Sequence, residues 1–230
     1  MTEENFMIQV QEGLPVSAVR TQPDGGATKG LFLYAPGAGS NIDDPFGGYL
    51  SGRLAESGIA TLRFQFPYMD AGRRRPDPPR LLEETWRQVI AAVEAEGVRL
   101  AVGGRSMGGR IASQVVAQGT YVDGLALFAY PLSPPRGGGK PPAKRRDEHL
   151  PSIGVPTLFC SGTRDAFATP EQLKEAAATV PVSTVHMLEG ADHGFAVLKS
   201  SGRVKEDIWR DAAGHLLDWL TGQAGWSSGG

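Results

Sequence analysis

The 230-residue sequence predicts a three-layer α/β domain, a mostly parallel sheet with helices on both faces. Short apolar runs at 30–35, 99–103, 124–130 and 156–161 read as buried strands. Between them lie segments whose apolar residues recur at helical spacing, so strands and helices alternate along the chain. The third observation is Gly104-Arg105-Ser106-Met107-Gly108, set where an apolar run gives way to a helical stripe. Small residues on either side of a serine allow the sharp strand-to-helix turn that pushes a hydroxyl out of a sheet.

Taken in order, Phe6 to Val10 and Val16 to Thr21 alternate weakly and predict an antiparallel opening hairpin. Gly30 to Ala35 is the first fully apolar strand, broken by Pro36-Gly37-Ala38-Gly39. Phe46, Tyr49, Leu50 and Leu54 then form a helical stripe that Gly58 ends. Residues 59–66 read as a strand, followed by a Pro/Arg-rich loop and a strong helix carrying Leu82, Trp86, Val89 and Val93 on one face. Strand 99–103 leads through Ser106 into helix 107–118, and strand 124–130 into a long polar loop, 131–151. After strand 156–161, Thr169-Pro170-Glu171-Gln172 carries the signature of a capping box with proline at the first helical position. Strand 183–188 and an amphipathic helix from Val204 to Leu220 close a single domain spanning 1–223, with 224–230 expected as a disordered-prone Ser/Gly tail. That tail holds a second Gly-x-Ser-x-Gly, around Ser227, with neither a strand before it nor a helix after it. Context therefore singles out Ser106.

Bulk properties narrow the function. A net charge of −2 gives no global attraction to nucleic acid or to an anionic membrane. One cysteine excludes an internal disulfide framework and fits a reducing compartment. With no 18-residue apolar run and no positive leader, the protein is expected to be cytoplasmic, a monomer or weak homodimer acting on a small molecule. The four histidines lack His-x-x-x-His spacing and no phosphate-loop pattern occurs, so neither a metal nor a cofactor is expected.

In a sheet of this kind ligands bind at the carboxyl ends of the strands, and the loops there supply the chemistry. A serine hydroxyl needs a base to take its proton and a carboxylate to orient that base. His193 follows the last strand on this rim, whereas His186 lies within a strand, His215 on a helix and His149 at the end of the polar loop. Asp165, after strand 156–161, is the expected acid, with Asp192 its competitor. The order Ser106, Asp165, His193 is that of serine hydrolases with this turn. For the oxyanion, the N–H of Met107 and one from the turn at Ala38, or else Gly39, are expected, since Pro36 cannot donate. Phe46, Tyr68 and Phe167 are candidate walls of a substrate pocket. Two basic rim loops, Arg73-Arg74-Arg75 with Arg80 and Lys140 with Lys144-Arg145-Arg146, would attract an anionic substrate if they line the mouth; otherwise they are solvated charges. The loop from Leu132 to Leu150, with Gly137-Gly138-Gly139, is a candidate lid.

Four segments carry a family resemblance: Gly103-Gly104-Arg105-Ser106-Met107-Gly108-Gly109-Arg110, Tyr130-Pro131-Leu132, Gly162-Thr163-Arg164-Asp165 and Gly190-Ala191-Asp192-His193. Together they resemble the α/β-hydrolases, in particular the dienelactone-hydrolase-like branch. Within it they are similar to small bacterial hydrolases and to the hydrolase-like region of a chromatin acetyltransferase-complex subunit. The resemblance runs from about residue 28 to 221 and implies an eight-stranded sheet with no large cap domain. It implies a serine hydrolase cleaving an ester or thioester, with a non-catalytic interaction module or a serine peptidase as alternatives. Dienelactone hydrolases place cysteine where this chain has Ser106; Cys160 lies inside a strand and is expected in the core.

Overall fold

The computed structural model describes residues 1–11, 13–25, 28–94, 97–134 and 144–226. Eight strands form one sheet: β1 (Thr2–Gln11), β2 (Leu14–Gln22), β3 (Leu31–Ala35), β4 (Ala60–Phe64), β5 (Leu100–Arg105), β6 (Gly124–Phe128), β7 (Thr157–Gly162) and β8 (Ser183–Leu188). Their order is β1-β2-β4-β3-β5-β6-β7-β8. The hairpin β1–β2 and the pair β2–β4 are antiparallel, and every pairing from β4 through β3 to β8 is parallel.

Strand periodicity divides the core between two faces. Along β3, Leu31, Leu33 and Ala35 point to one side, under α3 (Pro79–Glu94), α4 (Met107–Ala117) and α5 (Pro170–Ala177). Phe32 and Tyr34 point to the other, under α1 (Pro45–Glu56) and α6 (Lys205–Gly222). Leu125 and Leu127 of β6 likewise oppose Ala126 and Phe128. This is the three-layer arrangement that the fully apolar strands demand. Cys160 is free and buried within it.

Local chemistry fixes the element ends. Thr169 caps α5 through the Gln172 N–H, and the Gln172 side chain returns to the Thr169 N–H, completing the capping box. The hairpin strands run several residues beyond the weakly alternating stretches at 6–10 and 16–21. Backbone pairing from Thr2↔Gln22 onward continues along polar sequence that periodicity does not mark. β4 stops at Phe64, earlier than residue 66, because Pro67 opens a single helical turn, α2 (Pro67–Asp70).

The C-terminal tail requires a correction. Ala224 and Trp226 are buried, and the Trp226 N–H donates to the Leu220 carbonyl at 3.0 Å. The Trp226 ring lies against Gly30, where a Cβ would come within 2.7 Å of it. Packing therefore extends through 226; Ser227 lies outside the described residues. No helix among the described residues is long and apolar enough to cross a membrane.

Candidate active site

β5 ends at Arg105 and α4 begins at Met107, leaving Ser106 as the turn between them. Its backbone sits at φ 51°, ψ −115°, a conformation costly for any residue with a Cβ. Two contacts hold it there: the Ser106 N–H donates to the Phe128 carbonyl at 2.8 Å, and the Arg110 N–H donates to the Ser106 carbonyl at 3.0 Å. The turn packs directly on β3. A Cβ at either Gly104 or Gly108 would lie 2.2 Å from the Ala35 carbonyl oxygen, so only glycine permits this approach. From the far side, the Trp86 indole N–H of α3 donates to the Gly108 carbonyl at 3.1 Å.

The loops after β7 and β8 bring the other two side chains to the same rim. His193 Nε2 lies 2.9 Å from Ser106 Oγ. His193 Nδ1 faces Asp165, 3.0 Å from Oδ1 and 2.9 Å from Oδ2. A carboxylate only accepts, so Nδ1 carries the proton and Nε2 is left to accept from the serine hydroxyl. Asp165 is buried and oriented by two further donors, Ser161 Oγ at 3.2 Å and the Phe167 N–H at 2.8 Å. Neither donor stands out in the sequence, although an Asp two residues ahead of a free N–H is a common local turn. Asp192, the competing acid, instead accepts the N–H groups of Gly194 and Ala196 at 2.8 and 2.9 Å and shapes the histidine loop.

A cleft of about 410 Å³ opens over this array, lined by Gly37, Ala38, Arg105, Ser106, Met107, Arg110, Pro131, Arg146, Phe167, His193 and Gly194. Ala38 and Met107 line it, and their backbone N–H groups make no hydrogen bond among the described residues. Gly39 does not line the cleft, and its N–H donates to the Tyr68 hydroxyl at 2.9 Å, which removes it as the second oxyanion donor. Phe167 stacks on the His193 imidazole, ring centroids 4.1 Å apart.

The other two aromatic candidates are corrected. Phe46 is fully buried in the layer beneath α1, edge-on to Phe128 and Phe195. Tyr68 is fully buried on the opposite face, stacked on Phe66, with its hydroxyl anchoring the turn at Gly39. Neither lines the cleft. The first basic loop also lies off the mouth: Arg73 pairs with buried Asp77, and Arg74, Arg75 and Arg80 are absent from the lining. Of the second loop, Lys144 pairs with Glu148 and Arg145 with Asp147 and Glu175, while Arg146 reaches the cleft. Lys140 and the Gly137–Gly139 run of the candidate lid lie outside the described residues.

The remaining histidines are elsewhere. His149 Nε2 meets Ser113 Oγ at 2.7 Å. His186 and His215 share one carboxylate oxygen of Asp211, at 3.0 and 3.1 Å, linking β8 to α6. Their rings are stacked, 3.2 Å between centroids and 16° between planes. One nitrogen of each ring and an Asp211 carboxylate oxygen lie within 4.8 Å of one another, a spacing that could hold a metal ion.

An open, mostly parallel eight-stranded sheet, helices on both faces and a Ser–His–Asp array on the carboxyl rim define an α/β-hydrolase fold. The family described as an alpha/beta hydrolase domain matches residues 28–221, and the chain belongs to it. Among solved structures it is similar to Est1E from Butyrivibrio proteoclasticus (TM-score 0.74, 13% identity, 94% of this chain and 99% of that one). It is also similar to an alpha-beta serine hydrolase homologue from Coxiella burnetii (TM-score 0.74, 22% identity, 94% and 98%). A dienelactone hydrolase from Anabaena variabilis matches with a TM-score of 0.72 at 19% identity, over 96% and 97% of the two chains. These likenesses span nearly the whole chain and establish a shared α/β-hydrolase fold, and no large cap domain occurs among the described residues.

Proposed function

We propose that the protein is a serine hydrolase that cleaves a small carboxylic ester or thioester through an acyl-enzyme. One observation carries this reading: Ser106, held in a strained turn at the cleft, has its hydroxyl 2.9 Å from His193 Nε2. Strain of this kind persists only where the surrounding structure enforces it, and a passive scaffold gains nothing from it.

In the proposed reaction, Ser106 Oγ attacks the carbonyl carbon while His193 Nε2 takes its proton. The resulting imidazolium is stabilised by buried Asp165. The oxyanion sits against the N–H groups of Ala38 and Met107, a contact that is worth about 3 kcal/mol per donor in such sites. His193 then returns the proton to the departing alkoxide or thiolate. Water, deprotonated by the same imidazole, attacks the acyl-enzyme; the bond to Ser106 Oγ breaks, the imidazolium returns the proton to that oxygen, and the acid is released. An amide would follow the same path with a poorer leaving group, and the interaction-module alternative predicts no turnover. Hydrolysis of p-nitrophenyl acetate is the test: we expect turnover by the wild type and its loss in Ser106→Ala. Turnover unchanged in that variant removes Ser106 from the mechanism.

A further inference from the structure

We propose that Arg110 and Arg146 form an anion subsite beside Ser106, so that the substrate of this cleft carries a carboxylate. The inference rests on the hydrolase reading above and narrows its substrate class. Both guanidinium-bearing residues line the cleft together with Ser106 and His193. Among the described residues neither has a carboxylate at ion-pair distance. Arg110 donates to the Gln114 side chain at 3.1 Å and Arg146 to the Pro131 carbonyl at 3.3 Å, both neutral acceptors. The third arginine of the lining, Arg105, differs: it is paired with buried Asp44 at 3.2 Å.

The arrangement is locally unfavourable without an anion. Arg110 occupies the first turn of α4, where the helix presents its positive end. Burial, and after it the charge of Arg146, pull the Arg110 guanidinium below its ordinary pKa, with Tyr130 and Glu83 opposing more weakly. The cations that precede Arg146 in its own loop are paired, Lys144 with Glu148 and Arg145 with Asp147 and Glu175. Arg146 is nevertheless held in place: its carbonyl accepts the Tyr130 hydroxyl at 2.5 Å, and its N–H donates to the Leu132 carbonyl at 2.9 Å. Two half-buried like charges fixed beside a nucleophile are offset when a two-oxygen anion binds between them, and planar guanidinium forks match a carboxylate.

The test compares matched esters. For 4-nitrophenyl hydrogen adipate against 4-nitrophenyl hexanoate, and 4-acetoxybenzoate against phenyl acetate, kcat/KM is measured in the wild type. In at least one pair the carboxylate-bearing ester is preferred by roughly 10- to 100-fold, as charge-assisted hydrogen bonds allow. The preference falls at least several-fold in Arg110→Gln and in Arg146→Gln, chiefly through KM, and is retained in exposed Arg74→Gln. Turnover of both neutral esters with no preference in either pair overturns the subsite while leaving the hydrolase reading intact. Absence of all turnover overturns the hydrolase reading instead, and calorimetric binding of adipate then decides the subsite. Binding by the wild type that is lost in the two arginine variants upholds it; no binding, or competition by inorganic phosphate but not by adipate, refutes it.

Discussion

Asp165 faces the imidazole of His193 with both carboxylate oxygens, 3.0 and 2.9 Å from Nδ1. The contact fixes the tautomer in which Nε2 accepts from Ser106. Asp165→Asn places an amide donor at that position and favours the opposite tautomer, whose Nε2 carries a proton and cannot act as base. We expect kcat for p-nitrophenyl acetate to fall by about 10⁴-fold with KM little changed, as for the equivalent change in a Ser-His-Asp protease. Steady-state kinetics on the purified variant check this.

Ser106 stores strain that the fold has to absorb. At φ 51° and ψ −115° a Cβ is penalised, and glycine is not. Ser106→Gly is therefore expected to be more stable than Ser106→Ala by about 1 kcal/mol, although neither is active. Urea unfolding of the two variants measures the difference. Equal stability would mean that the turn is relaxed in the folded protein.

Trp226 closes the core between Gly30 and α6 with its indole N–H unpartnered, so its contribution is packing alone. Trp226→Ala is expected to cost about 3 kcal/mol, the usual range for removing a buried aromatic ring. Circular dichroism during urea titration gives the value, and a loss below a few tenths of a kcal/mol would show that the ring is dispensable.

Two histidines give stability a defined pH dependence. Burial, with Arg110 as the second cause, lowers the pKa of His149; burial and then His215 lower that of His186. The unfolded chain thus takes up these protons more readily, and stability declines as pH falls below about 6.5. The decline is at most about 1.4 kcal/mol per pH unit for each group and levels off below the lowered values. Unfolding free energies at pH 7.5 and 5.5 should differ in this sense, and less so in His149→Gln.

The convergence of the three side chains of the candidate site is legible in the sequence because they sit where alternating strands and helices put the carboxyl rim. Ser106, Asp165 and His193 each follow a strand of the parallel sheet, so their placement needs only the order of elements. Phe46 and Tyr68 were misplaced for the opposite reason. An aromatic residue in the first turn of a helix can face cleft or core, and only the packing of α1 and of the single turn α2 decides which. That turn, four residues long, leaves no periodic signal. The rim cations show the same limit: Arg145, which pairs with Asp147 and Glu175, and Arg146, which has no carboxylate partner among the described residues, are adjacent in sequence.

The most direct test of the proposed chemistry is covalent capture of the nucleophile. Folded wild-type protein treated with a fluorophosphonate should gain one adduct by intact mass, mapped to Ser106 by peptide digestion, and Ser106→Ala should gain none. An unmodified wild type, or an adduct on any other residue, would contradict the account.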